Sequence, residues 1–403
     1  MKENVKNYSF VWPKINKEIE RAVIKQLYKT ISIYDGGGIF SDFENKFAKY
    51  HNRKFAILCN SGTSAIHSMF VAADLKEGDE VICPAYTFFA TVTPLLFTGA
   101  KPILCDCDEN GNIDPEEILK KITKKTKAVV ITHMWGVPAR MDKLVSICKK
   151  KKLLLLEDCS HAHGALFKNK IVGSFGDLSA WSLQGAKNIT GGEGGIMTTN
   201  NRNFYERALL LGHYNKRCSR EIGPDSKWNK YKITGMGLKY RAHPLAIAIA
   251  DKLFDNIKKN SKFRARYAKE LFEVLKNNKH IQLPPAYFDK TIKPSWYAFT
   301  FFLKDEFLQN NPLSKIISMC QNNGLIDLDN PGSTKPLNLL PLFQDPTNLF
   351  PIYKNKGSRF SYKAGDFPNA EKLFKSLIKM PVGVDKEDNK IMNIYIQGIK
   401  KIF

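Results

Sequence analysis

Lys187 stands alone among small and polar residues in "SLQGAKNITGGEGG" (182–195), a setting with little structural use for a lysine. A buried lysine loses its charge readily, and the neutral amine can form a Schiff base with an aldehyde. The competing reading is an exposed loop lysine, the commonest fate of that residue. Glycines at 185, 191, 192, 194 and 195 let backbone approach a ligand closely. Upstream, "LLLLEDCSHAHGA" (153–165) delivers Glu157 and Asp158 at the end of an apolar run. A carboxylate there, held against the nitrogen of a heterocyclic ring, would favour the protonated ring by about 1 to 3 pKa units. His161, three residues on, can cover the face of such a ring; for His161 and His163 alike the alternative is a satisfied loop histidine. A third stretch, "LCNSGTSAIHSM" (58–69), sets Ser61, Gly62 and Thr63 between a strand and a helix. Free N–H groups and a hydroxyl converge there as they do on a phosphate, although Ser61 or Thr63 also reads as an ordinary N-cap. Ser182 offers a hydroxyl to the same anion as Thr63.

These residues need elements to hold them. The runs "KFAILCN", "VICPAY", "KPILCD", "AVVITHMW", "LLLLED", "DLSAWSL" and "GGIMTTN" predict seven strands separated by helical spacers, an α/β fold with a mostly parallel sheet. Such a sheet places ligand groups at the C-terminal ends of its strands. From about Ala246 the pattern predicts one long amphipathic helix, "LAIAIADKLFDNIKKNSKFRARYAKELFEVLKNN", leading into a smaller domain. A strand at "SWYAFTFFL", a Pro- and Asn-rich connection from Asn330 to Tyr353 and a helical segment from Asn369 onward complete it. With 403 residues at 43% hydrophobic, the chain can bury one large core and a second smaller one. The expected organisation is a large domain over 1–250 and a smaller C-terminal α+β domain over 251–403.

Composition excludes several function classes. Lysine and arginine number 62 against 39 acids, a net charge of +23, which suits nucleic acid, anionic membrane or phosphorylated small molecules. Yet the lysines fall in groups such as "KKITKKTK" and "CKKKK" that read as solvated helix faces and ends, and no helix-turn-helix or aromatic-interleaved RNA-binding motif accompanies them. No apolar run approaches the roughly 20 residues of a membrane span, and Met1 to Lys14 lacks the apolar region of a secretory signal. A soluble cytoplasmic protein with no nucleic-acid or membrane partner is expected. Cys59, Cys83, Cys105 and Cys159 sit in or beside apolar runs, as reduced buried thiols do, and no cysteine pair has zinc spacing. "DCDENGNIDPEE" (106–117) fits the calcium-loop template, but "GAKPILCD" before it is a strand-like run where that loop needs a helix. Asp114, Pro115, Glu116 and Glu117 read instead as the N-cap, N1 proline and first-turn acids of a helix. No metal is expected.

An anion cradle, a carboxylate for a ring nitrogen and a Schiff-base lysine together describe a pyridoxal phosphate site. The chain resembles the DegT/DnrJ/EryC1/StrS family of sugar aminotransferases, of the aspartate aminotransferase fold (fold type I). The resemblance rests on "NSGTSAIHS", "GDEVICPAYTFFATVTPLLFTGAKPILCDCD", "MWGVPARMD", "EDCSHAHGA", "SLQGAKNITGGEGG", "GLKYRAHPLAIAIA" and "GDFPNAE" in that order. It implies that Lys187 carries pyridoxal 5′-phosphate, that Asp158 pairs with the pyridine nitrogen, and that Gly62, Thr63 and Ser182 bind phosphate. It implies also that Phe88 and His161 lie on the two ring faces, and that sites are shared in a homodimer. Where many members have an Asn reaching the phosphate from the neighbouring subunit, this chain has Lys239, a cation that suits phosphate. Asn338 in "STKPLNLLPLF" stands where many members have a histidine, and the basic, aromatic segment 213–232 is a candidate substrate-side loop or solvated surface. The implied reaction moves an amino group from glutamate or glutamine to a keto sugar, nucleotide-linked, in amino-sugar or surface polysaccharide biosynthesis. A scyllo-inosose-type cyclitol or a smaller phosphorylated ketone is an alternative acceptor. Sugar dehydratases of the family replace the lysine with histidine, so Lys187 favours transamination. Calcium binding or basic regulation are the readings from other classes.

Overall fold

The computed structural model describes residues 9–403, so residues 1–8 of the stretch read for a secretory signal lie outside it. Its strands are β1 (Phe55–Cys59), β2 (Glu80–Pro84), β3 (Lys101–Cys105), β4 (Thr126–Thr132), β5 (Leu154–Asp158), β6 (Leu166–Phe167), β7 (Lys170–Ile171), β8 (Leu178–Ser182), β9 (Gly195–Thr199), β10 (Ile281–Gln282), β11 (Ile292–Lys293), β12 (Phe299–Leu303) and β13 (Leu377–Met380). Seven of them form one sheet in the order β1-β9-β8-β5-β4-β2-β3. The pairs from β8 through β5, β4 and β2 to β3 are parallel, and β9 runs antiparallel to both its neighbours. All seven apolar runs picked from the sequence are strands of this sheet.

Both faces are covered, which is why the strands read as continuous apolar runs rather than as alternating ones. Ile57 and Cys59 of β1 enter one layer with Met69, Leu209 and Leu156. Ala56 and Leu58, one register position away, enter the other with Phe43, Phe47, Trp181 and Ile247. The first layer also takes Leu337, Phe343, Tyr353, Phe360 and Phe367 from the C-terminal third of the chain. A separate cluster gathers Tyr267, Phe299, Phe301, Ile378, Met380, Met392 and Tyr395 around the small sheet β10-β12-β13.

Two expectations about elements need correction. The long helix from Ala246 is two helices, Pro244–Asp255 and Ile257–Leu275, broken at Asn256. There the backbone turns to φ −96°, ψ 2°, and the Asn256 side-chain amide donates to the Lys252 carbonyl. A short amide side chain that bonds its own backbone competes with helix continuation, and apolar periodicity does not register that. The helical segment from Asn369 is likewise interrupted: Pro368–Ser376 ends in β13 before the terminal helix Asn389–Ile402. Ile378 and Met380 fill the small core while Leu377 faces the first layer, a period of 2 too short to stand out in sequence.

The calcium-like stretch is a turn. Asp106 accepts from the backbone N–H groups of Cys107, Asn369 and Ala370, and Asp108 from those of Asn110 and Asn112. Asp114 caps the helix Pro115–Lys121 by accepting from the Glu116 N–H at 2.9 Å. All eight cysteines are free and buried.

Candidate active site

The C-terminal ends of β1, β2, β4, β5 and β8 open on one edge of the sheet, and a cavity of about 560 Å³ lies there. It brings together Ser61, Gly62, Thr63, Phe88, Asp158, His161, Ser182 and Lys187. Lys239 is not among its residues: it is exposed and bridged in backbone to His213.

Ser61 extends the chain out of β1 and caps the helix Gly62–Ala72, its hydroxyl accepting from the Ser64 N–H at 3.1 Å. The N-cap role read as an alternative for Ser61 is therefore real, and it leaves the first-turn N–H groups of Gly62 and Thr63 without an intrahelical acceptor. A Cβ on Gly62 would lie 2.7 Å from the Ser182 Cβ, so glycine lets the helix start meet the end of β8. Gly195, one of the glycines after Lys187, does a different job from the one expected. A Cβ on Gly195 would lie 2.1 Å from the Ser61 carbonyl oxygen, so this residue seats chain against chain beside the cavity.

Asp158 is 4% exposed at the end of β5. One carboxylate oxygen accepts from the Thr91 hydroxyl at 2.7 Å; the other accepts from the Ser160 N–H at 3.0 Å and the Ser160 hydroxyl at 2.6 Å. Thr91 in turn meets Thr87 at 2.7 Å, and Thr87 meets Thr132 at 3.1 Å. These donors fix the carboxylate's plane and keep it an acceptor toward the cavity. Glu157, its neighbour in sequence, points to the opposite side of the sheet. There it accepts from the N–H groups of Gly173, Phe175 and Gly176 and lies 3.3 Å from His133 and 3.5 Å from Arg53. Burial alone would raise the Glu157 pKa, but His133, Arg53 and the Gly176 N–H outweigh it and hold it below the usual value.

The two histidines divide between the readings open for them. His163 is a structural residue, buried, with Nε2 2.9 Å from the Ser182 carbonyl and a pKa pushed by burial down to about 4. His161 lines the cavity and stacks on Tyr297 at 4.2 Å between centroids, with Trp135 parallel at 5.6 Å. Burial holds it well below its ordinary pKa, so it is a neutral aromatic plate. Burial also lowers the Lys187 amine to about 8, against the pull of Asp158 and with a further push from Lys379. That amine sits 4.7 Å from the Tyr297 ring centroid. The Lys187 carbonyl is held from outside, accepting from Trp12 Nε1 at 2.8 Å.

Sequence reasoning passed over Thr91, Ser160, Trp135, Tyr297, Asp329 and Lys379. For Thr91 a signal existed, since Thr87 and Thr91 share a face in "AYTFFAT". The last three arrive from the far end of the chain, where nothing local marks them. The segment 213–232 lies outside this cavity and is partly core: Arg217 is buried with its guanidinium 2.8 Å from Glu44 and 3.2 Å from Glu221. Asn338 is fully buried, donating to the Lys363 carbonyl and to Glu371.

Comparison with known proteins bears on this geometry. A model of the DegT/DnrJ/EryC1/StrS aminotransferase family matches residues 13–397. An uncharacterized protein of Methanocaldococcus jannaschii is 32% identical over 363 residues, 89% of each chain. The dTDP-3-amino-3,6-dideoxy-alpha-D-galactopyranose transaminase of Aneurinibacillus thermoaerophilus is 34% identical over 291 residues, 72% of this chain and 76% of that one. Among solved structures, the aminotransferase from Psychrobacter cryohalolentis superposes with a TM-score of 0.85 at 25% identity, covering 98% of each chain.

Proposed function

The chain belongs to the DegT/DnrJ/EryC1/StrS aminotransferase family, and from that premise we propose that it moves an amino group from glutamate or glutamine to the keto group of a nucleotide-linked sugar. Pyridoxal 5′-phosphate is the cofactor of this family. The residues present fit it: a helix start opened by Gly62 for the phosphate, a buried carboxylate for the ring nitrogen, a neutral aromatic plate for one ring face, and a lysine with a weakened hold on its proton. Gly62, Thr63 and Ser182 would hold the phosphate, Asp158 the pyridine nitrogen, His161 and Phe88 the two faces. When bound, the cofactor supplies an aldehyde for the lysine and a ring that draws electrons from the donor's α-carbon.

The chain's own residues do the rest. Asp158, locked by Thr91 and Ser160, keeps negative charge at the ring nitrogen. Lys187 Nζ, with its pKa lowered to about 8, takes the proton from the donor α-carbon as general base and returns one as general acid. Packed aromatic rings at His161, Tyr297 and Trp135 limit water on that side of the cavity. The single observation that supports this reading best is Lys187 and Asp158 meeting in one cavity from different strand ends.

The proposal includes a homodimer with Lys239 serving the neighbour's phosphate; the apolar residues Tyr231, Ile233, Met236 and Leu238, exposed beside it, support an interface there. It includes a division into a large domain over 1–250 and a small one over 251–403, supported by the separate cluster around Tyr267 and Phe299. It also places the enzyme in the cytoplasm; no helix among the described residues is long and apolar enough to cross a membrane. Borohydride reduction of the protein incubated with pyridoxal phosphate, followed by peptide mapping, is expected to label Lys187. Label on another residue, or none, overturns the reading. A screen of the aminated holoenzyme against keto-sugar nucleotides and inososes then identifies the acceptor.

A further inference from the structure

Two lysines line the cavity, and the mechanism uses only Lys187. The other, Lys379, lies on β13, on the face shared with Leu377 and turned away from the small core that Ile378 and Met380 enter. Its ammonium is 2.9 Å from the Asp329 carboxylate, and the two residues also exchange backbone hydrogen bonds at 2.8 and 3.1 Å. The pair is half-buried at the cavity wall with Tyr297, the ring over which the Lys187 amine sits. The Lys379 charge is near enough to push both Lys187 and His161 toward their neutral forms. A cation so close to the reacting amine opposes charge there, and no other carboxylate within salt-bridge reach compensates it among the described residues.

The reaction proposed above has to seat two unlike substrates in turn. An amino-acid donor carries a carboxylate on the very carbon that bears its amine, whereas a keto sugar carries no charge beside its carbonyl. We propose that Lys379 is the donor-specificity residue: its ammonium pairs with the donor's α-carboxylate and reverts to Asp329 alone when the keto acceptor takes the donor's place. Asp329 holds the ammonium aimed between the two events, so that it has a carboxylate partner whichever substrate is seated. The assignment rests on the aminotransferase reading and names the residue that selects its donor.

The test separates the two half-reactions of the holoenzyme, each followed by the cofactor's absorbance. For the donor half-reaction, Lys379→Met is expected to raise the apparent KM for glutamate about 10- to 100-fold, the range for loss of a charged hydrogen bond. The apparent KM for the keto acceptor should change less than about threefold, any change at the Lys187 amine entering the rate constants of both half-reactions alike, and Lys379→Arg should recover most of the donor affinity. Independently of any variant, glutamate α-amide should be a poorer donor than glutamate for the wild-type enzyme by about the same factor, and Lys379→Met should erase that preference. An equal rise in KM for donor and acceptor, or a wild-type enzyme indifferent to the α-amide, overturns the assignment while the transaminase reading stands. If labelling maps to Lys187 but no amino donor alters the absorbance of unreduced wild-type holoenzyme, the transaminase reading falls and the assignment falls with it.

Discussion

At the scale of single residues, the chemistry depends on groups held away from their ordinary states. Lys187 is lowered to about 8 by burial, so the rate at which the apoprotein forms a Schiff base with pyridoxal phosphate should rise about tenfold per pH unit below 8 and level above it. A profile still rising at pH 10 would show the amine to be unperturbed. Thr91→Val removes the hydroxyl that donates to Asp158 at 2.7 Å while keeping its volume. Loss of a hydrogen bond to a charged group costs about 1.5–3 kcal/mol, so the apoprotein's urea midpoint should drop, and kcat should fall roughly 10- to 100-fold where that bond holds Asp158 at the ring nitrogen. Gly62→Ala forces a Cβ to within 2.7 Å of Ser182 and should lower stability by about 1–3 kcal/mol while weakening cofactor binding, read by urea melts and cofactor titration.

At the scale of elements, the site exists because strand ends are tied to the turns that follow them. Glu157 ties β5 to the turn 173–176 through three backbone N–H groups and holds the buried Arg53 at 3.5 Å. Glu157→Ala leaves those N–H groups without their acceptor and the guanidinium, still bonded to the Gly173 and Gly176 carbonyls, without the carboxylate beside its charge. A loss of about 3–5 kcal/mol is expected, seen as a lower urea midpoint in the apoprotein, although Glu157 touches no substrate. The same strand end supplies Asp158 to the cavity, so adjacent carboxylates on opposite faces serve structure and chemistry separately. Trp12 binds the Lys187 carbonyl from the other end of the chain, while its ring lies 5.5 Å from the Arg264 guanidinium. The loop that carries the reactive amine is thus fixed from outside the sheet.

For the whole molecule, the buried histidines set a direction for pH dependence. His163 and His51 are depressed by burial to about 4 and about 3, from 6.5. Between pH 6.5 and 4 the unfolded chain binds protons that the folded chain refuses, so stability falls as pH drops, by about 1.4 kcal/mol per pH unit for each such histidine. Glu157, held below its usual pKa, adds to the loss at the acid end. The apoprotein's denaturant midpoint should therefore drop steeply from pH 6.5 to 4, and replacing His163 with Gln should flatten that slope. An unchanged slope would mean that His163 is protonated when folded.

What the chain determined locally is extensive. Seven apolar runs became the seven strands of one sheet because a parallel sheet buried on both faces demands continuous hydrophobicity. Lys187, Asp158, His161 and Ser61 to Thr63 were legible because charged, hydroxyl and glycine residues have few structural uses at strand ends. What only the tertiary structure decided is which of two neighbouring carboxylates reaches the cavity and which remote residues join it. Glu157 and Asp158 both carry a carboxylate and are adjacent, yet the pleat sends one to Arg53 and the other to the cavity. His161 and His163 part in the turn after β5, one lining the cavity and the other reaching the Ser182 carbonyl. Tyr297, Asp329 and Lys379 come from segments more than a hundred residues beyond Lys187 and carry no local mark. Their place follows from how the small sheet packs against the large one, a contact between distant parts of the chain that no periodicity encodes.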